Sequence, residues 1–367
     1  MRNVCESRPA MNREWEIAIR QAGLAALIGV AALLGGLLTF DAGAQGRHTG
    51  QWLIEPGLRG EYVRLTLRYR WPKGGESHNT YGVTREQLRG LTDAQMMSAG
   101  SPVQFQIVRD AGTLNCEGWF KDGKGSGHFT YSPNPAFLSE LKRLGYDTPT
   151  EDQQFSMTLH NVSLALIEEL RAQGYERPTI EQLVRTGSHG VRLEYVRELR
   201  ALGYEVKSVD LLVRMVDHGV SIEFIKELNA LGYKDLPVET LVRTVDHGVR
   251  PEFIREMQSL GYSNLPLEKL VRLVDHGVGA DFIRELEEVG YSRLALEQLV
   301  RMRDHGVTVS YIKELKALGY DNLTVEQLVR LRDHGVTPDF IKRMQARGFT
   351  NLSAEELVRM RNHGFDK

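Results

Sequence analysis

The chain has 367 residues, 41% hydrophobic and 26% charged, which excludes a wholly disordered polymer and leaves room for two or more domains. Its 46 basic and 48 acidic residues give a net charge of −2, so no basic excess exists to neutralise phosphates, and nucleic acid is not an expected partner. Only two cysteines are present, Cys5 and Cys116, on opposite sides of an apolar segment, so no intrachain disulfide is expected.

That segment, Ala22 to Phe40, holds 19 consecutive positions without a charge and follows Arg13 and Arg20. Such a run is just long enough to cross a bilayer as a helix. Ala42-Gly43-Ala44-Gln45 comes next, with the small-x-small pattern that signal peptidase accepts. A cleaved signal peptide and a retained anchor both fit, and both place Gln45 onward outside the cytoplasm, in the periplasm or cell envelope. Membrane contact is expected only through this segment, if it is retained. The expected fold is α+β and multidomain: a signal or anchor helix over 1–44, a small antiparallel β domain over 45–133, and an all-α solenoid of helix-pair repeats over 134–367.

From Gly50 to Tyr131 the hydrophobic period is two. Val63, Leu65, Leu67 and Tyr69 alternate with mostly polar neighbours, and Val103, Phe105 and Ile107 repeat the pattern, as strands with one buried face do. The glycines of Asp122-Gly123-Lys124-Gly125-Ser126 suit a hairpin loop. Thr84 with Gln87, and Thr92 with Gln95, have capping-box spacing. Five or six strands are expected, in a small sandwich or half-barrel that packs on the first helix pair, because an apolar sheet face needs a second layer. Cys116 and the tryptophans Trp52, Trp71 and Trp119 read as packing residues. His48, His78 and His128 read as surface histidines.

From Pro135 the chain nearly copies itself eight times at a 29-residue period, with Gly-Tyr or Gly-Phe recurring from Gly145 to Gly348 and histidine from His160 to His363. In one unit, Thr337-Pro338-Asp339 opens a helix whose Phe340, Ile341 and Met344 share a face, and Thr324 with Gln327 caps another whose stripe is Leu328, Val329 and Leu331. Helices of this length need stacking on their neighbours. The first unit departs from the pattern, with Gln154 for leucine, Leu159 for aspartate and Asn161 for glycine.

Two polar ladders run through the units. The histidines each sit at a helix C-terminus, a favourable place for a cation near the dipole. Stacked helices are about 8–10 Å apart, too far for neighbouring histidines to share a metal. Arg185, Arg214, Arg243, Arg272, Arg301, Arg330 and Arg359 each follow an acid by four residues, the favourable order for a helical ion pair. They form a solvated face and the candidate partner-binding ladder, with a repetitive acidic ligand as one alternative. No His-Glu-x-x-His, Gly-x-Ser-x-Gly, phosphate-binding glycine loop or Cys-x-x-Cys occurs, so no catalytic, cofactor or metal residue is nominated.

Leu318-Gly319-Tyr320-Asp321-Asn322-Leu323, through Asp333-His334-Gly335-Val336-Thr337-Pro338-Asp339-Phe340-Ile341, resembles helical repeats of bacterial extracytoplasmic proteins, among them the C-terminal regions of BlaR-like membrane sensor peptidases. Gly112 to Ser132 resembles the β segment that precedes such repeats. The resemblance implies a relative of the sensor or interaction region without its peptidase part. The expected function is a non-catalytic extracytoplasmic scaffold that binds a protein partner through the repeat surface. One alternative is a ligand-sensing signalling subunit. Another is an envelope enzyme whose site would draw on His78, Glu117 or His128.

Overall fold

The computed structural model describes residues 48–57, 62–72 and 74–365. The expected signal or anchor segment lies outside the described residues. Among the described residues no helix is long and apolar enough to cross a membrane.

Six strands, β1 (Thr49–Pro56), β2 (Tyr62–Arg70), β3 (Glu76–Thr84), β4 (Ser101–Val108), β5 (Gly112–Lys121) and β6 (Lys124–Pro133), form one antiparallel sheet in the order β3-β2-β1-β6-β5-β4. The alternation in β2 buries Val63, Leu65, Leu67 and Tyr69 and leaves Tyr62, Arg64, Arg68 and Arg70 outside. Between β3 and β4 both capping boxes form, at a 3-10 turn over Arg85–Gln87 and a single helical turn over Asp93–Met96. Arg89 in this connection exchanges both backbone hydrogen bonds with Gln106, and so covers part of the outer edge of β4.

The hairpin between β5 and β6 is tighter than the five-residue loop expected from the glycines. Only Asp122 and Gly123 form the turn, with φ of 50° and 79°. Two successive left-handed residues make a turn whose twist matches that of the strands it joins. Gly125 and Gly127 therefore lie in β6 for a different reason. A Cβ on Gly125 would strike the Phe120 ring, and Cβ atoms on the paired Gly118 and Gly127 would strike the opposite strand. The Trp52 indole occupies this space, and its Nε1 donates to the carbonyls of Glu117 and His128 at 3.1 Å each.

No second sheet covers the inner face among the described residues. The cover is the helix Glu151–Leu159, whose Phe155 and Leu159 join the core of Trp52, Leu65, Phe105, Leu114, Phe129 and Tyr131. This is the single-sheet form of the expected layering. Trp52 is buried as expected and Trp71 is half-buried, but Trp119 points outward and is 51% exposed. Cys116 is buried, and burial pushes its thiol pKa up. His48 is not at the surface. It is 1% exposed, stacks on Phe155 at 4.2 Å, and has Nε2 3.1 Å from Asp152 Oδ1. The residues that follow His48, Thr49 and Gly50 of β1, carry no sign that a helix some hundred residues later roofs it over.

From Pro135 to Asn362 the described residues hold sixteen helices of nine residues each, from Pro135–Arg143 to Ala354–Asn362. The caps are those the sequence encodes. Thr324 accepts from the Gln327 N–H while Gln327 reaches back, and Thr337 accepts from Phe340 N–H ahead of Pro338. At the other end, Tyr320 N–H bonds the Leu315 carbonyl and Gly319 N–H bonds Lys316, with Gly319 at φ 94°, the paired closure of a Schellman end. Val336 and Gly335 close the partner helix in the same way, on Leu331 and Arg332. Each helix packs on its counterpart in the next unit, and the buried stripes merge into one core from Phe137 to Val358.

The departures of the first unit attach this array to the sheet. Gln154 Nε2 donates to the carbonyls of Ala111 at 2.8 Å and Asn134 at 3.1 Å, Leu159 enters the sheet core, and Asn161 takes the left-handed φ of 55° in glycine's place. Gln154→Leu, which restores the residue of the other units, is therefore expected to destabilise the chain by about 1–2 kcal/mol by removing two hydrogen bonds at the buried seam, although the Ala111 carbonyl keeps the Asn134 N–H at 3.2 Å. Urea unfolding followed by tryptophan emission measures this; a variant as stable as the parent would remove the docking role.

Candidate functional site

The ladders are joined in a way the spacing within one helix did not reveal. The expected pairing of each arginine with the acid four residues earlier is not what forms. Arg185 pairs with Asp210 (3.4 Å), Arg214 with Glu239 (2.6 Å) and Arg330 with Glu355 (3.8 Å), so the guanidinium reaches the acid of the following unit. Within one helix the acid stands in the first turn, where the free N–H groups and the dipole attract it. The neighbouring unit brings the same acid beside the preceding arginine. Arg272 likewise helps hold the Glu297 carboxyl below its usual range, after the hydrogen bond from Lys269. All seven ladder arginines, Arg185, Arg214, Arg243, Arg272, Arg301, Arg330 and Arg359, are exposed on the second helix of their unit. Shallow grooves between successive second helices are lined by Glu239, Arg243 and Glu268, and by Lys269, Arg272 and Glu297.

The histidines are the C-cap residues expected of them, and they do more. Nδ1 of His189, His218, His247, His276 and His305 lies 2.6–2.7 Å from Oδ1 of Asp217, Asp246, Asp275, Asp304 and Asp333, each in the next unit. His334 meets Asn362 at 3.0 Å. The aspartate beside each histidine thus serves the histidine before it. Tyr233, Tyr262, Tyr291 and Tyr320 donate from their hydroxyls to Leu265, Leu294, Leu323 and Leu352 of the following unit at 2.6–3.0 Å. Arg303, Arg332 and Arg361 lie over the rings of Phe282, Tyr311 and Phe340. On the first helices, Arg197, Lys226, Arg255 and Arg284 pair backward with Glu169, Glu198, Glu227 and Glu256. Each kind of contact recurs at its own fixed separation, and that recurrence from unit to unit is the sequence signal for them.

His160 is the exception. Its partner position holds Ser188, and the ring packs edge-on against Tyr81 at 6.2 Å. Burial, with the charges of Arg192 and His189, lowers its pKa to about 4.

On the outer face of the sheet, Gln104, Glu117, His128, Gln51, Arg68 and His78 are cross-strand neighbours in one transverse row. Glu117 and His128 are therefore adjacent, but His78 lies three strands beyond His128, about 14 Å along the sheet at roughly 4.8 Å per strand. The three residues named for an enzymatic site do not converge. Beside exposed Trp119, Gln95, Pro102, Gln104, Glu117 and His128 line an open concavity. Among the described residues no group of three or more His, Cys, Asp or Glu is placed to hold a metal ion. No protein-family model matches the chain, and no curated protein matches it.

Two outcomes follow. Tyr262→Phe should cost about 1–2 kcal/mol by orphaning the half-buried Leu294 carbonyl, with hydrogen-exchange protection lost mainly in the two units it joins; uniform loss along the array would contradict a local clamp. For His160, the folded-state pKa lies below the unfolded value near 6.5, so the unfolded chain binds the extra proton. Its contribution is constant above about pH 6.5, and stability falls as pH drops toward 4. His160→Gln should flatten that part of the stability profile, and superimposable profiles would refute the assignment.

Proposed function

We propose that the sixteen helices form a solenoid whose second-helix face binds a protein partner outside the cytoplasm, and that the chain is a non-catalytic scaffold. The observation that carries this reading is the exposed arginine ladder. Charges recur once per unit, and several are held by acids of the next unit, so the surface is ordered before any partner arrives. Preorganisation lowers the entropic cost of binding, and a solenoid offers a long surface of this kind. The resemblance of the repeats to those of BlaR-like sensors supports an interaction role, and the apolar run Ala22 to Phe40 supports export.

A second reading, a ligand-sensing subunit partnered with a membrane protein, is favoured by the concavity beside Trp119, where an exposed aromatic ring adjoins amide, carboxylate and imidazole groups.

Photo-crosslinking residues placed at Arg243 and Arg272, and separately at Arg255 and Arg284 on the first helices, distinguish these surfaces in intact cells. The scaffold reading predicts discrete protein adducts from Arg243 and Arg272 alone. Adducts from neither pair, or equally from both, would sink it. Adducts from a probe at Gln104 alone would favour the second reading. Fractionation of the same cells is expected to recover the chain outside the cytoplasm, and its intact mass to show it either full-length or beginning at Gln45.

A further inference from the structure

Among the described residues the histidine ladder lacks its acid at two places, Ser188 and Asn362, and two half-buried arginines lie near the first of them. Ser188 and Gly187 occupy the positions that carry Asp217 and Val216 one unit later. Gly187 is fully enclosed, and a Cβ there would strike Val162 and crowd His160. Arg192 stands at the N-cap of Leu193–Ala201, where neighbouring units use Ser163 and Ser221. Among the described residues its guanidinium hydrogen-bonds to backbone carbonyls alone, Gly187 at 3.2 Å and Val191 at 3.4 Å. Arg109 comes from the turn joining β4 to β5, where its backbone exchanges hydrogen bonds with Gly112. The adjacent acid, Asp110, is engaged elsewhere, accepting from Leu164 N–H at 2.8 Å.

The third group is Tyr81 on β3. Its hydroxyl is buried without a hydrogen-bond partner, since the nearby Asn79 amide is given to the Tyr69 hydroxyl at 3.0 Å. Burial lowers the pKa of Arg109 and the charge of Arg192 lowers it further, with the nearby Tyr81 phenol acting the other way. Arg192 is lowered by burial too, with Tyr81 and Glu194 as the opposing influences. Among the described residues neither guanidinium forms an ion pair with a carboxylate. Two partly desolvated like charges with no carboxylate in direct contact are costly, Glu194 acting on Arg192 only from a distance, and a hydroxyl donor with nothing to donate to adds to that cost.

We propose that Arg109, Arg192 and the Tyr81 hydroxyl bind a small oxyanion, phosphoryl, sulfuryl or carboxylate, at the junction of the sheet with the second repeat. The guanidinium forks match such groups in shape and charge. Neutral His160 forms one wall and adds no third positive charge. The site is separate from the arginine ladder, so it stands or fails independently of the scaffold reading.

The test is calorimetric and thermal titration of the folded chain with inorganic phosphate, sulfate and succinate, for the parent, Arg109→Gln, Arg192→Ser, Tyr81→Phe and Arg301→Gln. Arg192→Ser installs the residue used by neighbouring units and is expected to fold. The proposal requires saturable binding of at least one anion, weakened tenfold or more in Arg109→Gln and Arg192→Ser, several-fold in Tyr81→Phe, and unchanged in the ladder control Arg301→Gln. Without anion, Arg192→Ser should melt no lower than the parent, because a like-charge repulsion is relieved. The order of the three anions separates a phosphoryl or sulfuryl ligand from a carboxylate. No saturable binding, or equal weakening in Arg301→Gln, overturns the site.

Discussion

A nine-residue helix cannot hold its shape in water, because the cost of nucleation is shared among too few hydrogen bonds. All sixteen helices after the sheet have that length, so each exists only by burying its stripe against a neighbour. The polar contacts follow from the same constraint. Histidine to aspartate, tyrosine to loop carbonyl, and arginine to acid or ring all cross from one unit to the next. Exposed pairs of this kind contribute little singly, but each is available only when the neighbouring unit is in place. They fix spacing and register on top of the apolar core that supplies most of the stability.

The sheet faces the complementary difficulty. It is apolar on one side and has no second sheet to cover it, so the first unit of the array has residues suited to both surroundings. Phe155 and Leu159 serve the sheet, Met157 serves the helices, and Gln154 supplies donors to the carbonyls at the seam. Positions that look degenerate within the repeat are specialised once their contacts are known. The same seam assembles Arg109, Arg192 and Tyr81 from three distant stretches of chain.

Much of this was readable from the residues alone. The 29-residue period, the caps of Thr324 and Thr337, the stripe of Leu328, Val329 and Leu331, and the alternation of Val63 through Tyr69 are local patterns, and local patterns determine local structure. What escaped was non-local. The arginines were paired with acids on their own helix because a single helix is all that i,i+4 spacing describes, whereas stacking brings a competing acid closer. His48 reads as a surface residue among glycine and polar neighbours, because nothing near it in sequence announces the Phe155 ring above it. Trp119 read as core because tryptophan in a small sheet usually is, yet its place in the alternation of β5, two positions from Glu117, already assigned it to the outer face.

Because the clamps described in the array reach only one unit forward or back, no helix pair beyond the second depends on its absolute position in the chain. Loss or duplication of a complete 29-residue segment among the later repeats would rejoin surfaces of the same kind, with histidine again meeting aspartate and tyrosine again meeting a leucine carbonyl. A change in length by whole units would therefore re-form the contacts described without redesigning a single one. The first two units are excluded from that freedom. Gln154, Gly187, Ser188 and Arg192 are matched to the sheet and to their neighbours, so deletion or duplication of a unit there would break contacts that the later units could not replace.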